Sequence, residues 1–362
     1  MPEVNVTQVR EKRSSLIRGG AIAAVVALLA LPVAAHVKWF VEYDVTQPPT
    51  PIGEVLNGQF ITMFLVSVAG VYLFFVGDRY LYKRGLFVAL DERMRKLDGF
   101  GDYVMRGSAG LFFFLLWVWY LVYGVTFYIT PELKTNALWV PWAHLAMSLL
   151  LITKRTSPLT GLGVFILFAA AIHDYGIFHM LDYEIFVGIG FFLIAANLGS
   201  KKWLRAAFIV LFACTGLTLI WASVEKFGYA EWTFPLLAKN PDMTMGMSAR
   251  TFMTLSGFVE FNVTFALLGA VSIVGRLVSL GAMSIFVLAV FKFGTVDALG
   301  HLMIVAILVV LFVRGPTDAR NMLFLSDKSV WTEAYFMTGL YFLAFGMIFI
   351  LYYGLHYLIY GI

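Results

Sequence analysis

Cysteine and charge are scarce in this sequence. A single cysteine, Cys214, occurs among 362 residues, and only 13% of the residues are charged. One cysteine excludes an internal disulfide, a dithiol redox cycle and a CxxC metal site within the chain. Soluble domains carry about twice this share of charged residues, so the composition indicates a protein that folds in a membrane.

Apolar side chains dominate instead, with 60% hydrophobic and 17% aromatic residues. Many runs approach the ~20 residues that a helix needs to cross a bilayer, and they are too long for barrel strands. We therefore predict an all-α, polytopic transmembrane protein with about eleven spans. The predicted spans are 18–40, 58–77, 108–130, 137–153, 159–175, 182–199, 204–225, 249–272, 277–293, 296–314 and 332–357.

The basic residues predict the orientation. If the amino terminus is cytoplasmic, most of the 26 lysines and arginines fall in the tail and loops on that side. The positive-inside rule then favours a bacterial inner-membrane protein with a cytoplasmic amino terminus and a periplasmic carboxyl terminus. The net charge of +4 is thus explained by topology, and we expect no nucleic-acid partner.

The sequence also contains an internal repeat. Residues 159–190 align without gaps onto 277–308, and 60–77 align onto 252–269. Apolar helices can match by chance, but the matches agree in order and spacing. Parallel repeats of this kind are found in membrane proteins. We predict two parallel four-helix units and an appended helix. The first unit is 1–200 with an inserted hairpin at 108–153, the second is 201–316, and the appended helix lies in 317–362.

Under this topology all six histidines lie at or toward the periplasmic side. Several charged residues are placed on the same side, at depths inside the membrane. Asp297 and His301 are four residues apart and share one helix face. Lys226 is expected to pair with Glu260 or Asp297, because an unpaired charge inside a membrane protein is costly. These four residues predict a polar catalytic pocket, and the residues expected to bind a cofactor beside it are Glu225, Trp232 and Lys292. The alternative is a charge network that only fixes helix register.

Two other stretches offer metal ligands. The segment HDYGIFHMLDY supplies His173, Asp174, His179 and Asp182, whose imidazole and carboxylate groups suit several transition metals. The segment MTMGM supplies Met243, Met245 and Met247, and thioethers select Cu(I). The start of the chain also resembles a secretory signal, and its cleavage would leave an amino-terminal histidine that can bind copper. The alternative is histidines bonded to carbonyls and lipid head groups.

The second half resembles a known family. The stretches WASVEKFGYAEWTFPLL, GFVEF, FGTVDALGH and the closing RGP resemble the DoxX-type membrane family over about 204–316. The residues that match its pattern are Lys226, Glu260, Asp297, Gly300 and His301. The resemblance implies a four-helix unit associated with membrane oxidoreductase systems, whose members include a quinone-reducing thiosulfate oxidoreductase subunit. This chain departs from the family in its length, its duplication and its lack of a cysteine pair.

These observations together predict a redox-associated membrane protein. Its pocket is expected to face the periplasm and to bind a quinone or another small electron carrier, with lipid and a membrane or periplasmic redox protein as partners. The first alternative is a protein that binds or handles copper or another transition metal, and haem held by paired histidines is a further possibility. The second alternative is a structural subunit of a larger membrane complex.

The predicted orientation can be tested with reporter fusions. Alkaline phosphatase fused after Gly361 should be active, because that enzyme folds only outside the cytoplasm and the predicted carboxyl terminus is periplasmic. Green fluorescent protein at the same position should be dark. A fluorescent fusion with inactive phosphatase would contradict the orientation.

Overall fold

The computed structural model describes residues 37–288, 293–315 and 328–361. The described residues are mainly helical, and we number the longer helices in chain order. They are α1 Gly58–Lys83, α2 Gly101–Tyr123, α3 Val140–Leu150, α4 Ser157–Tyr175, α5 Glu184–Ala195, α6 Lys201–Gly228, α7 Ala249–Gly269, α8 Ile273–Leu288, α9 Thr295–Arg314 and α10 Val330–Tyr360.

Eight helical segments among the described residues are long and apolar enough to cross a membrane. They comprise α1, α2, α4, α6, α7, α9, α10 and the segment Ile177–Ala195, which contains α5. The shorter α3 is also apolar, and α8 reaches the edge of the described residues. The chain is thus a multi-span helical membrane protein. Nearly all of the predicted span 18–40 lies outside the described residues.

Short helices and one pair of strands complete the fold. The helical turns are Ile52–Val55, Val88–Arg95, Ile177–Met180 and Phe234–Lys239. Strands β1 Thr126–Phe127 and β2 Lys134–Thr135 pair antiparallel, with Thr126 opposite Thr135.

This strand pair falls partly inside the predicted span 108–130. Helix α2 ends at Tyr123 because Gly124 adopts φ of 68°, a left-handed conformation that glycine allows at a helix end.

Successive long helices alternate in direction, which gives the bundle two chemically different ends. We call the first the histidine end, because it contains the described histidines His144, His173, His179, His301 and His356. We call the opposite the arginine end, because it contains the buried arginines Arg79, Arg106 and Arg276.

Buried ion pairs join the helices at the arginine end. The carboxylate of Asp78 accepts hydrogen bonds from the backbone amides of Val271 and Ser272 and from the Ser272 hydroxyl, all within 2.9 Å. Asp78 therefore binds the two residues that precede α8. The Ser272 hydroxyl caps the helix by accepting from the Gly275 amide, and a negative charge at this end also favours the helix dipole. Arg79 pairs with Asp78, and its Nε lies 3.2 Å from Glu333 on α10. These contacts hold α1, α8 and α10 together.

Helix α6 lies at the centre of the bundle. It packs against α5 and α7 along most of its length, and it also contacts α9 and α10. Helices α7 and α8 pack together, as do α8 and α9, so α6 to α9 form a closed ring. Helix α1 packs against α7, α8 and α10, while α2 packs against α3 and α9. The division into two repeat units stays a prediction.

Glycines allow two of these helices to approach closely. A Cβ atom added to Gly161 on α4 would lie 2.6 Å from the backbone oxygen of Gly190 on α5. A backbone atom cannot rotate away as a side chain can, so this contact requires a residue without a Cβ. Such small-residue contacts are common between helices in membranes.

Replacing Gly161 with alanine should therefore destabilise the protein by about 1–3 kcal/mol, the usual cost of overpacking. The measurement is the thermal unfolding temperature in detergent. Gly346→Ala on α10 is the matched control, because nothing lies within 4 Å of its added Cβ. Equal unfolding temperatures for the two variants would contradict the close packing of α4 and α5.

Candidate functional site

A cavity lies inside the bundle between α5, α6, α7, α8 and α9. Its volume is about 60 Å³, enough for a few water molecules. Polar groups line its part toward the histidine end, and apolar side chains line the rest. The polar lining residues are Thr130, Asp182, Tyr183, Thr218, Lys226, Glu260 and His301, and the apolar ones include Ile185, Phe186, Leu219, Met283, Met303 and Leu308.

Lys226 and Glu260 form a buried ion pair in the wall of this cavity. Lys226 belongs to the last turn of α6, and its ammonium group binds the Glu260 carboxylate on α7. Only 11% and 8% of the two side chains are exposed. The predicted pairing of Lys226 with Glu260 is therefore found. Each charge compensates the other, so neither is an isolated charge beside the apolar space.

Asp297 and His301 lie one turn apart near the start of α9. The Nδ1 atom of His301 lies 2.9 Å from the backbone oxygen of Asp297. A carbonyl oxygen only accepts hydrogen bonds, so Nδ1 carries a proton and donates the hydrogen bond. His301 lines the cavity, whereas Asp297 lies behind it, fully buried, with Oδ1 3.4 Å from His301 Nδ1. Among the described residues, neither carboxylate oxygen of Asp297 has a hydrogen-bond partner.

Trp39 covers the cavity beside His301. The two rings meet edge to face with their centroids 5.0 Å apart. The indole lies directly against Gly300, where an added Cβ would come within 1.9 Å of it. Glycine at position 300 is thus what allows Trp39 to reach the cavity.

Lys38 bridges Glu225, a predicted cofactor-binding residue, and Asp182, a predicted metal ligand. Its Nζ donates hydrogen bonds to Asp182 Oδ2 at 2.8 Å and to Glu225 Oε1 at 2.7 Å. All three side chains are buried, and two carboxylates around one ammonium group favour its charged form. Lys38 also lies 6.0 Å from the ring centroid of Trp232, so Glu225 and Trp232 meet at this lysine.

A second network of polar contacts, built around Glu132, lies beside Asp182. His179 Nε2 lies 2.8 Å from Glu132 Oε1, and Tyr183 donates a hydrogen bond to the same carboxylate. The ring of Tyr43 stacks on His179 with centroids 5.5 Å apart. Burial raises the pKa of Tyr43 far above its ordinary value, and the nearby Glu132 carboxylate raises it further. The Tyr43 hydroxyl therefore stays protonated.

The structure separates the predicted metal ligands from one another. His173 is 88% exposed and bonds to Asp174, whereas His179 is 1% exposed and bonds to Glu132. In the predicted copper stretch, Met243 is buried in a small apolar cluster while Met245 is 54% exposed. No group of three or more histidine, cysteine or acidic side chains that could hold a metal occurs in 37–288, 293–315 and 328–361. Lys292 lies outside the described residues.

Sequence reasoning missed the roles of Lys38 and Glu132. Lys38 lies near the end of the first predicted span, 18–40, and Glu132 lies between β1 and β2, in the loop between the predicted spans 108–130 and 137–153. The available signal was the excess of acidic residues near Asp182 and Glu225, because buried carboxylates require a nearby cation.

Comparisons with family models, with curated proteins and with solved structures find no match for this chain. The resemblance to the DoxX-type family therefore stays a prediction based on the motifs of residues 204–316.

Replacing Lys38 with methionine should destabilise the protein by roughly 3–5 kcal/mol, because two buried carboxylates lose their shared cation. The measurement is thermal unfolding in detergent at neutral pH. Lys134→Met is the control, since that lysine is exposed at the same end. Adding Asp182→Asn and Glu225→Gln to Lys38→Met should restore part of the lost stability, and no restoration would show that charge compensation is not the cause.

Proposed function

We propose that this protein is a redox-associated membrane component whose cavity binds the head group of a quinone or a similar small electron carrier. The supporting observation is that Lys226, Glu260 and His301 line one cavity, together with a few other polar groups and with apolar side chains over the rest of its wall. Small-molecule sites have this character, with a few polar groups placed in an apolar lining. The proposal agrees with the function implied by the DoxX-type resemblance.

The polar groups match what a quinone head group needs. Its carbonyl oxygens accept hydrogen bonds, which Lys226 can donate and which His301 can donate from Nε2 when its ring carries a second proton beside the one on Nδ1. When an external redox partner removes the two electrons of a quinol, two protons must also leave. Glu260 lines the cavity and Asp297 contacts His301, so these carboxylates are placed to accept protons.

The cavity is small in the closed structure, so a head group must displace part of its cover. Trp39 is that cover in this proposal, because it lines the cavity and belongs to a short helical turn, Val37–Trp39. We further propose that the histidine end faces the periplasm, in agreement with the positive-inside prediction.

The alternatives make different predictions about the purified protein. Copper handling predicts stoichiometric copper that is lost when His173, His179 and the three methionines of MTMGM are changed together. A purely structural subunit predicts that neutral substitutions in the cavity alter stability alone. Elemental analysis and an absorption spectrum therefore precede the binding experiment.

Quinone binding tests the proposal directly. A tritiated short-chain ubiquinone analogue should bind the protein in lipid nanodiscs. His301→Ala removes a hydrogen-bond donor and Glu260→Gln removes the carboxylate that holds the Lys226 donor in place, so each should weaken binding at the cavity by up to about tenfold, the value of one hydrogen bond.

The control variants are His173→Ala and Glu54→Gln, which change exposed residues at the same end. Each variant is used only if it is monodisperse and unfolds cooperatively. Unchanged affinity in both cavity variants would show that the cavity does not bind the quinone.

A further inference from the structure

A second and larger cavity lies between α1, α7 and α8. This cleft has a volume of about 430 Å³, within the ~300–1,000 Å³ range of small-molecule sites. It opens on the outer surface of the bundle, where Val66 of α1 is 67% exposed. The residues that line it are Thr62, Met63, Val66, Ser67, Gly70, Val71, Phe74, Leu255, Phe258, Val259, Asn262, Val263, Ala266, Val278 and Ser279.

Polar groups occupy the middle of this cleft. Asn262 donates a hydrogen bond to Ser67 at 2.9 Å and accepts one from Tyr341 at 2.7 Å. An amide nitrogen carries two hydrogens, so one remains after the bond to Ser67. Ser279 is only 2% exposed, and within the described residues its hydroxyl has no hydrogen-bond partner. A buried hydroxyl without a partner is unusual and points to a missing acceptor or donor.

The residues that line the cleft restrict the chemical class of ligand that it can bind. None of the described residues that line the cleft is charged, so the site offers no counter-ion to a phosphate or an ammonium group. Ser67 lies nine residues after Gly58, about 14 Å along a helix about 39 Å long. Ester groups of phospholipids lie at the edge of the ~30 Å hydrocarbon layer, whereas Ser67, about a third of the way along α1, lies inside that layer when the helix is centred in it.

We infer that this cleft binds the ring of a membrane-dissolved quinone, with its apolar tail along α1 and a ring carbonyl facing Ser279 and Asn262. A quinone is neutral, dissolves in the bilayer interior and carries the hydrogen-bond acceptors that these groups need. This inference rests on the proposed function for the choice of quinone, but it concerns a different site.

The cleft and the first cavity share a wall made of α7 and α8. Val259 lines the cleft and the next residue, Glu260, lines the cavity. On α8, Ser279 lines the cleft and Met283, one turn later, lines the cavity. The cleft therefore places a quinone from the bilayer one helix layer away from the proposed redox pocket.

Filling the cleft tests this inference. Gly70→Leu places a large side chain in the cleft, and nothing lies within 4 Å of the added Cβ, so the helix can accept it. Gly77→Leu is the matched control, because Gly77 lies two turns along the same helix, is equally open and does not line the cleft. Binding of the tritiated quinone analogue in nanodiscs is measured for both variants, alone and combined with Glu260→Gln.

The expected result is that Gly70→Leu removes the cleft-bound quinone while Gly77→Leu does not. Ser279→Ala should weaken the same binding by several-fold, up to about tenfold for one hydrogen bond, relative to the exposed Ser284→Ala. Equal binding by Gly70→Leu and Gly77→Leu would overturn the inference, and so would a phospholipid that occupies the cleft in its place.

The combined variants separate this inference from the proposed function. If Gly70→Leu alone abolishes all binding and Glu260→Gln has no effect, the cleft is the quinone site and the cavity proposal fails. If Glu260→Gln weakens all of the binding and Gly70→Leu removes none of it, the cavity proposal stands and the cleft inference fails. If the unmodified protein binds no quinone, both fail.

Discussion

The compensation of buried charge is the constraint on which this structure depends. In an apolar bundle an isolated ion is costly, so a buried charge is stabilised by an opposite charge or by several hydrogen bonds; Asp297, with no hydrogen bond at either oxygen among the described residues, is an exception. Lys38 satisfies this requirement for two carboxylates at once, Asp182 and Glu225. These residues come from three distant parts of the chain. The ion pairs therefore fix which helices can be neighbours at the histidine end, in addition to stabilising them.

The arginine end meets the same constraint with different chemistry. There Asp78 binds backbone amides at the start of α8, and Arg79 connects it to Glu333. The contacts of Asp78 and Arg79 at that end join α1, α8 and α10. At the histidine end the paired charges surround empty space. The asymmetry suggests that one end maintains the architecture, while the other provides space for a ligand.

The sequence predicted the helical, multi-span fold and several local features because these depend on short-range patterns. A partner of Lys226 among Glu260 and Asp297 was expected from their depth, and the structure has Glu260; the proximity of Asp297 and His301 followed from helical spacing. The partnership of Lys38 with Asp182 could not be predicted, since it joins residues 144 positions apart. The cleft was also missed, because Ser67, Asn262 and Ser279 are individually ordinary residues in apolar helices.

Glu225 and Lys226 are consecutive residues on α6, yet they belong to different networks. Glu225 binds Lys38, and Lys226 binds Glu260 on α7. Neighbouring residues on an α-helix point about 100° apart, so a single rotation of this last turn displaces both side chains together. The last turn of α6 therefore connects the two networks, because one peptide bond joins the residue that binds Lys38 to the residue that binds the carboxylate in the cavity wall.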